Sequence, residues 1–215
     1  MIPIFHPYSI LLVTGIICLA FVVKLALINH RLFFKYVIYY IISLAASIQS
    51  YLLDRQLSQI IISIFLGYDL IFFLWELKKF KLLIRKKKEI IFTIITSLCI
   101  LILTLIIFHT NEKITGIFSI YNSIVIIIFS FQILVKIFKN NDIKEEITES
   151  QFWLISAFYL CSIASIWADM LMLFFSLQIE SYVLMISVFF FITWAVKYSL
   201  LLKSAICLRQ SIHLA

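Results

Sequence analysis

Seven long apolar stretches, separated by short polar segments, fill this chain of 215 residues almost from end to end. They cover residues 8–28, 33–53, 57–77, 89–108, 114–137, 152–175 and 182–203. About 18 apolar residues are enough for a helix to cross the roughly 30 Å hydrocarbon core, where only helices and closed barrels satisfy their own backbone groups. The pattern predicts an all-α, polytopic integral membrane protein. We expect one seven-helix transmembrane domain over residues 1–215, with no soluble domain.

The stretches contain few residues that interrupt helices. The prolines are Pro3 and Pro7, and the glycines are Gly15, Gly67 and Gly116. Secondary transporters commonly build their sites from helices broken by Gly or Pro. Continuous, nearly straight helices are expected here, which disfavours that kind of transport.

Polar side chains recur at helical spacing on three of the stretches. They are Ser43, Ser47, Ser50 and Asp54 in the second stretch, Thr93, Ser97 and Thr104 in the fourth, and Ser162, Ser165, Asp169 and Ser176 in the sixth. Hydrogen bonds between membrane helices contribute under about 1 kcal/mol each. We interpret these hydroxyl groups as contacts between helices in the interior of the bundle.

Composition and charge support this class and predict an orientation. Hydrophobic residues make up 64% of the chain and charged residues 13%, whereas a soluble domain is about half apolar and a quarter charged. Fourteen of the 18 Lys and Arg residues fall in the loops and terminus on one side. Because basic loops stay in the cytoplasm, we expect the N-terminus outside and the C-terminus in the cytoplasm.

The net charge of +7 comes mainly from segment 78–88, in which seven of eleven residues are basic. They are Lys78, Lys79, Lys81, Arg85, Lys86, Lys87 and Lys88. Each basic residue near an anionic leaflet gains about 1 kcal/mol, so lipid headgroups explain the cluster without nucleic acid. A protein partner in the cytoplasm is the alternative, and the polar segment 138–150 is a second candidate for contacting it.

Asp69 and Lys197 are charged residues near the middle of their spans. At a rise of about 1.5 Å per residue, they lie at similar depth in the third and seventh helices. An ion pair would neutralise both, since isolated charges are costly in a membrane. A protonated, hydrogen-bonded Asp69 is the alternative, because burial raises the pKa of a carboxyl group.

Asp169 lies nearer the outer end of the sixth span. A cavity lined by Asp169 and Ser165, with Asp54 or Arg55 at its mouth, would suit a small polar or cationic ligand. The other interpretation is a carboxylate that is reached by water from the headgroup region.

The motifs of known catalytic and metal sites are missing from the sequence. There is no HExxH, no P-loop and no nucleophile in a Gly-rich turn. The four cysteines show no paired spacing, and the four histidines lie at helix ends or in loops. We expect no metal, and a non-enzymatic protein is favoured although an enzyme is not ruled out.

The chain resembles a group of uncharacterised seven-span inner-membrane proteins from Bacteroidota. The likeness is carried by YDLIFFLWEL at 68–77, IVIIIFSFQILVKIFK at 124–139 and FWLISAFYLCSIASI at 152–166. It implies a multi-pass protein of a bacterial inner membrane and brings no known activity.

A second resemblance is to microbial rhodopsins, which share seven spans, an outside N-terminus and a Lys in the seventh helix. Lys197 followed by YSLLLKSAI is similar to the stretch after the retinal lysine, and Arg55 precedes Asp69 by a spacing that also occurs there. The likeness implies a retinal Schiff base at Lys197. However, Thr193 and Ser58 stand where that family has acids, and a buried Schiff base without a counter-ion is destabilised. We therefore expect no cofactor.

Three functions remain as hypotheses from the sequence. The first is a sensory or scaffolding subunit that works with a cytoplasmic partner through segments 78–88 and 138–150. The second is a small-solute or ion transporter that uses Asp69, Lys197 and Asp169. The third is a retinal-binding photoreceptor. A homo-oligomer is compatible with each of them.

Overall fold

The computed structural model of the protein describes residues 7–52, 55–77, 87–108, 114–139, 149–174 and 180–213. These residues form seven α-helices, and no strand occurs among them. The helices are α1 (Pro7–Ile28), α2 (His30–Leu52), α3 (Arg55–Leu77), α4 (Lys87–Phe108), α5 (Ile114–Lys139), α6 (Glu149–Phe174) and α7 (Glu180–His213).

Five of the seven helices are long and apolar enough to cross a membrane. Their membrane-length segments are Leu11–Ile28, Ile60–Leu77, Gly116–Lys136, Glu149–Leu171 and Val188–Gln210. In α2 the apolar segment is shorter, Phe33–Ile48. The prediction of an all-helical chain built from apolar helices is confirmed, and this is the construction of a helical membrane protein.

The longest helix, α7, continues ten residues past the predicted end of the seventh span, from Lys203 to His213. The sequence contains no Pro or Gly to end it there. Ala205 and Cys207 in this extension are buried, and α7 packs extensively against α6. Burial against that neighbour therefore favours a longer helix than the apolar run alone indicates.

Helices that follow one another along the chain are antiparallel, whereas the neighbours α3 and α5, and α7 and α1, run in the same direction. α1 and α2 form a tight hairpin at Asn29, whose N–H donates to the carbonyl of Leu25 and whose carbonyl accepts from the N–H of Phe33. Helices α2 and α3, α3 and α5, α5 and α6, α6 and α7, and α7 and α1 then pack in sequence around the interior, while α4 lies against α3 and α5. We call the end at which α3, α5 and α7 begin the upper end, and the other the lower end.

Large apolar side chains cover much of the outer surface of the bundle. Leu27 on α1 is 84% exposed, and Phe92 and Ile106 on α4 are 68% and 64% exposed. Polar groups such as Ser43, Asp69 and Lys197 are instead buried. An exterior more apolar than parts of the interior suits a lipid environment, since extended apolar patches are rare on soluble monomers.

Candidate functional site

The centre of the bundle contains a buried ion pair. Lys197 Nζ on α7 lies 2.7 Å from both carboxylate oxygens of Asp69 on α3. Asp69 is 5% exposed and Lys197 2% exposed. The structure thus joins two residues that the sequence places at similar depth. Mutual neutralisation explains why either charge is stable there, because a lone buried ion is expensive.

Aromatic side chains enclose this pair. The hydroxyl of Tyr39 donates to Asp69 Oδ1 at 2.6 Å. Lys197 Nζ lies 4.2 Å from the ring centroid of Phe158 and 4.5 Å from that of Trp194, distances at which a cation is attracted to a ring face. The pair therefore ties together α2, α3, α6 and α7, and each of its charged atoms has a partner.

A row of buried side chains on α2 extends the polar contacts above and below the level of the ion pair. Tyr36, Tyr39, Tyr40 and Ser43 share one helix face and are buried. The hydroxyl of Tyr40 donates to the backbone carbonyl of Tyr198 at 2.6 Å, and Ser43 hydrogen-bonds the hydroxyl of the same tyrosine. These bonds fix α2 against α7 in the middle of the bundle.

Further hydroxyl contacts lie nearer the lower end. Tyr36 Oη lies 3.4 Å from Ser204 Oγ on α7. The Ser204 hydroxyl donates to the carbonyl of Ser150 on α6 at 2.8 Å. The lower halves of α2, α6 and α7 are thus connected through polar groups as well as by apolar packing.

Glu76 lies at the lower end of α3 and is buried. Its position near a helix end suggests a side chain that extends toward water, yet it is 5% exposed and forms an ion pair with Lys35 on α2. Antiparallel packing of α2 against α3 brings Lys35 to the level of Glu76. This second pair joins α2 and α3 at the lower end.

A cavity of about 200 Å³ occupies the upper part of the interior. Its polar lining comes from Ser47, Ser119, Ser165 and Asp169, and its apolar lining includes Leu11, Ala46, Ile62, Phe65, Leu66, Phe190, Phe191 and Trp194. Mostly apolar walls with a few polar groups are typical of small-molecule sites. Six of the seven helices contribute to this one, which we call the upper cavity.

Two residues lining the upper cavity have buried polar atoms without a partner. They are Oδ2 of Asp169 and Nε1 of Trp194. Ser119 is placed to hydrogen-bond the Asp169 carboxyl group, but this leaves Oδ2 unsatisfied. Because buried polar atoms in native proteins nearly always have partners, these two atoms are the polar groups of the cavity wall that the described residues leave unsatisfied.

Trp194 links the upper cavity to the buried ion pair. The Trp194 side chain lines the cavity, and Lys197 Nζ lies 4.5 Å from the centroid of the same indole ring. Phe65, which also lines the cavity, has its ring centroid 5.4 Å from that of Trp194 and 6.4 Å from that of Tyr39. A molecule in the cavity would therefore press on the same side chains that enclose the pair.

The remaining residues singled out from the sequence contribute less to this site. Asp54 and the basic residues Lys78, Lys79, Lys81, Arg85 and Lys86 lie outside the described residues, as does most of segment 138–150. Arg55 and Lys87 begin α3 and α4, but their side chains are not described. Lys88 is exposed. Among the described residues no group of three metal-ligating side chains occurs.

One of the polar stripes behaves differently from the sequence interpretation. Thr93 on α4 donates to the carbonyl of Glu89 in its own helix at 2.8 Å, so its hydroxyl does not contact another helix through that bond. Ser97 and Thr104 of the same stripe are buried. A threonine can always satisfy its hydroxyl within its own helix, so helical spacing alone overestimates contacts between helices.

Sequence reasoning missed three residues of the interior. Trp194 and Tyr39 were not singled out because an aromatic residue in an apolar stretch is expected to face lipid or to pack in the core. Asn122 on α5 is 2% exposed, and both polar atoms of its side chain lack a partner. Asn122 could have been singled out from the sequence, because a polar side chain within a membrane span is costly and usually has a structural or functional role.

In comparisons with protein-family models, curated proteins and solved structures, no match to this chain was found.

Proposed function

We propose that this protein is a membrane receptor that binds a small ligand in the upper cavity and signals through the lower end of the bundle. The observation that carries the proposal is Trp194, which lines a cavity with unsatisfied polar atoms and also covers the central charge of Lys197. A ligand that changes the position of this ring changes the environment of the ion pair.

The contacts below the ion pair offer a route to the lower end. Lys197 and Ser204 lie two turns apart on α7, and α7 is bonded to α2 through Tyr198 and to α6 through Ser204. A shift of α7 therefore alters contacts with both neighbours. Coupling between two sites requires a structural element that has two arrangements, and each site must change the equilibrium between them. We propose that α7 is this element and that it couples the upper cavity to the lower end.

We propose that all seven helices span the membrane, with the N-terminus outside and the C-terminus in the cytoplasm. The support is the concentration of 14 of 18 basic residues in the loops and terminus on one side. The upper cavity then faces the outer half of the membrane, and segments 78–88 and 138–150 contact lipid headgroups or a protein partner in the cytoplasm. A bacterial inner membrane is the proposed location.

Fusion proteins test the cytoplasmic position of the C-terminus. A C-terminal green fluorescent protein fusion should fluoresce, whereas a C-terminal alkaline phosphatase fusion should be inactive.

The coupling is tested by filling the cavity without any ligand. Ser165→Leu places an apolar side chain in the upper cavity, and Ser199→Leu places the same side chain on the exposed face of α7. Cys207 near the lower end of α7 is 4% exposed, so its modification by a membrane-permeant maleimide reports movement there. Mass spectrometry of the labelled peptides measures each thiol separately, with Cys18 on α1 as an internal reference.

We expect Ser165→Leu to change the labelling rate of Cys207 several-fold relative to Cys18, and Ser199→Leu to leave it unchanged. Equal labelling rates of Cys207 in the wild type and both variants would contradict the proposed receptor function. Flux of a solute through the purified protein alone in liposomes would instead support a transporter.

A further inference from the structure

A second cavity lies between α2 and α3, on the outside of the bundle. It has a volume of about 300 Å³ and is lined by Ile41, Ile42, Ala45, Ala46, Ile61, Ile64, Phe65 and Tyr68. Ile41 and Ile64 are about half exposed, so this cavity opens on the apolar exterior of the bundle. We call it the side cavity.

The side cavity and the upper cavity share a wall. Ala46 and Phe65 line both of them. Below this level α2 and α3 are held together by the bond from Tyr39 to Asp69 and by the ion pair of Lys35 and Glu76. At the shared wall itself, a methyl group and one aromatic ring separate the bundle interior from the surface that faces lipid.

The unsatisfied atoms of the upper cavity define the chemistry of an occupant. Asp169 Oδ2 needs a hydrogen-bond donor or a positive charge, and Trp194 Nε1 needs an acceptor or an electron-rich group. Lys197 is engaged with Asp69 at the centre of the bundle. The ammonium form of an amine supplies both a hydrogen-bond donor and a positive charge for Asp169 Oδ2.

The lining and the volume of the upper cavity define the apolar part of its occupant. The lining is dominated by apolar and aromatic side chains, including Phe65, Phe190 and Trp194. A cavity of about 150 Å³ takes up benzene, so about 200 Å³ accepts a substituted aromatic ring or an equivalent short aliphatic body.

We propose that the upper cavity binds a small lipid-soluble amine, which enters from the hydrocarbon layer through the side cavity between α2 and α3. This inference rests on the proposed receptor function, because it names the ligand class of the same site. The neutral amine partitions into the membrane, passes Ala46 and Phe65, and accepts the proton of the neutral Asp169 carboxyl group, so that an ammonium ion and a carboxylate form a pair in the cavity.

The ligand class is tested by calorimetry on the full chain in lipid nanodiscs. The probes are 2-phenylethylamine and 2-phenylethanol, which have the same ring and chain and differ in the terminal group. We expect the amine to bind and the alcohol to bind at least tenfold more weakly. Asp169→Asn should lower the affinity for the amine about 10- to 100-fold, since a hydrogen bond to a charged group is lost. Glu149→Gln, which changes an exposed acid on the same helix, should have no effect.

The entry route is tested by rates. Ala45 lines the side cavity and not the upper cavity, so Ala45→Phe should slow both association and dissociation of the amine about tenfold and leave its dissociation constant unchanged. Ala20→Phe, on the exposed face of α1, is the matched control and should change neither rate.

Each result either supports or overturns the inference. Equal affinity for amine and alcohol, unchanged affinity in Asp169→Asn, or no heat with either probe would mean that the cavity holds water or another class of ligand. Equal rates in Ala45→Phe and Ala20→Phe would remove the lateral route. These failures leave the labelling of Cys207 in Ser165→Leu unaffected, so they are distinguishable from failure of the receptor function.

Discussion

The centre of the bundle and the wall of the upper cavity each contain an aspartate, but Asp69 is buried whereas Asp169 is half-buried, and their carboxyl groups are partnered differently. Asp69 accepts hydrogen bonds on both oxygens, from Lys197 and Tyr39. Asp169 Oδ2 has no hydrogen-bond partner among the residues that the structure describes. A carboxylate whose bonds are complete within the chain belongs to the fold, whereas one with an oxygen left over is available to a ligand. In the proposed receptor, the same residue type stabilises the bundle in one place and binds a ligand in the other.

The largest expected effect comes from separating the central ion pair. Asp69→Asn or Lys197→Met leaves an uncompensated buried charge or an unsatisfied partner, which costs about 3–5 kcal/mol. We expect a large fall in the midpoint of thermal unfolding in detergent, together with low expression. The double variant Asp69→Leu with Lys197→Met should recover most of the loss, because removing both charges also removes their desolvation cost. Full stability of either single variant would show that the pair does not hold the bundle together.

A smaller effect is expected when one hydrogen bond to the pair is removed. Tyr39→Phe deletes the donor to Asp69 Oδ1 and keeps the ring that packs near Lys197. The cost should be about 1.5–3 kcal/mol, the usual contribution of a hydrogen bond to a charged group. Thermal unfolding of Tyr159→Phe, which changes a half-buried tyrosine on α6, is the control. Equal midpoints for the two variants would refute the role of Tyr39.

Close packing beside the centre gives a third prediction. A methyl group on Gly15 of α1 would lie 2.6 Å from Leu44 Cδ2 and 3.2 Å from Tyr198 Cε2. Leu44 can shift its side chain, but the Tyr198 ring is fully buried and bonded to Ser43. Gly15→Ala should therefore destabilise the bundle by about 1–3 kcal/mol, measured in the same thermal assay. A more stable Gly15→Ala variant would mean that helix propensity outweighs this close contact.

The smallest effect is expected at the upper cavity. Without ligand, Asp169→Asn should change the free energy of unfolding by no more than about 1 kcal/mol, because the hydrogen bond with Ser119 is between uncharged or half-buried groups and its loss costs little. Asp69→Asn, assayed beside it, makes the same chemical change and should be far more destabilising. If Asp169→Asn were as destabilising as Asp69→Asn, the contrast between the two sites would not hold.

Much of the fold follows from the sequence for a simple reason. The length of each apolar run sets the length of each helix, so the predicted and observed bounds of α1 and α4 differ by one or two residues. Helix α7 continues past the predicted span 182–203 because its extension is held by burial of Ala205 and Cys207 against neighbours, which local hydropathy does not record.

The candidate site was predictable in part. Depth along the helices places Asp69 and Lys197 at one level, but only the arrangement of α3 and α7 in space makes them a pair. Ser165 and Asp169 follow from helical spacing, whereas Trp194 reaches the same cavity from another helix. Apolar and aromatic residues occur on every face of these helices, so the pattern does not show which of them turn inward.

The most direct measurement combines ligand and signal in one sample. The labelling rate of Cys207 relative to Cys18 is measured in nanodiscs with and without 2-phenylethylamine, for the wild type and for Asp169→Asn. We predict that the amine changes the rate several-fold in the wild type and has no effect in Asp169→Asn at the same concentration. If the amine binds with an affinity that depends on Asp169 and the rate stays the same, the upper cavity is a binding site without coupling to the lower end, and the receptor account is contradicted.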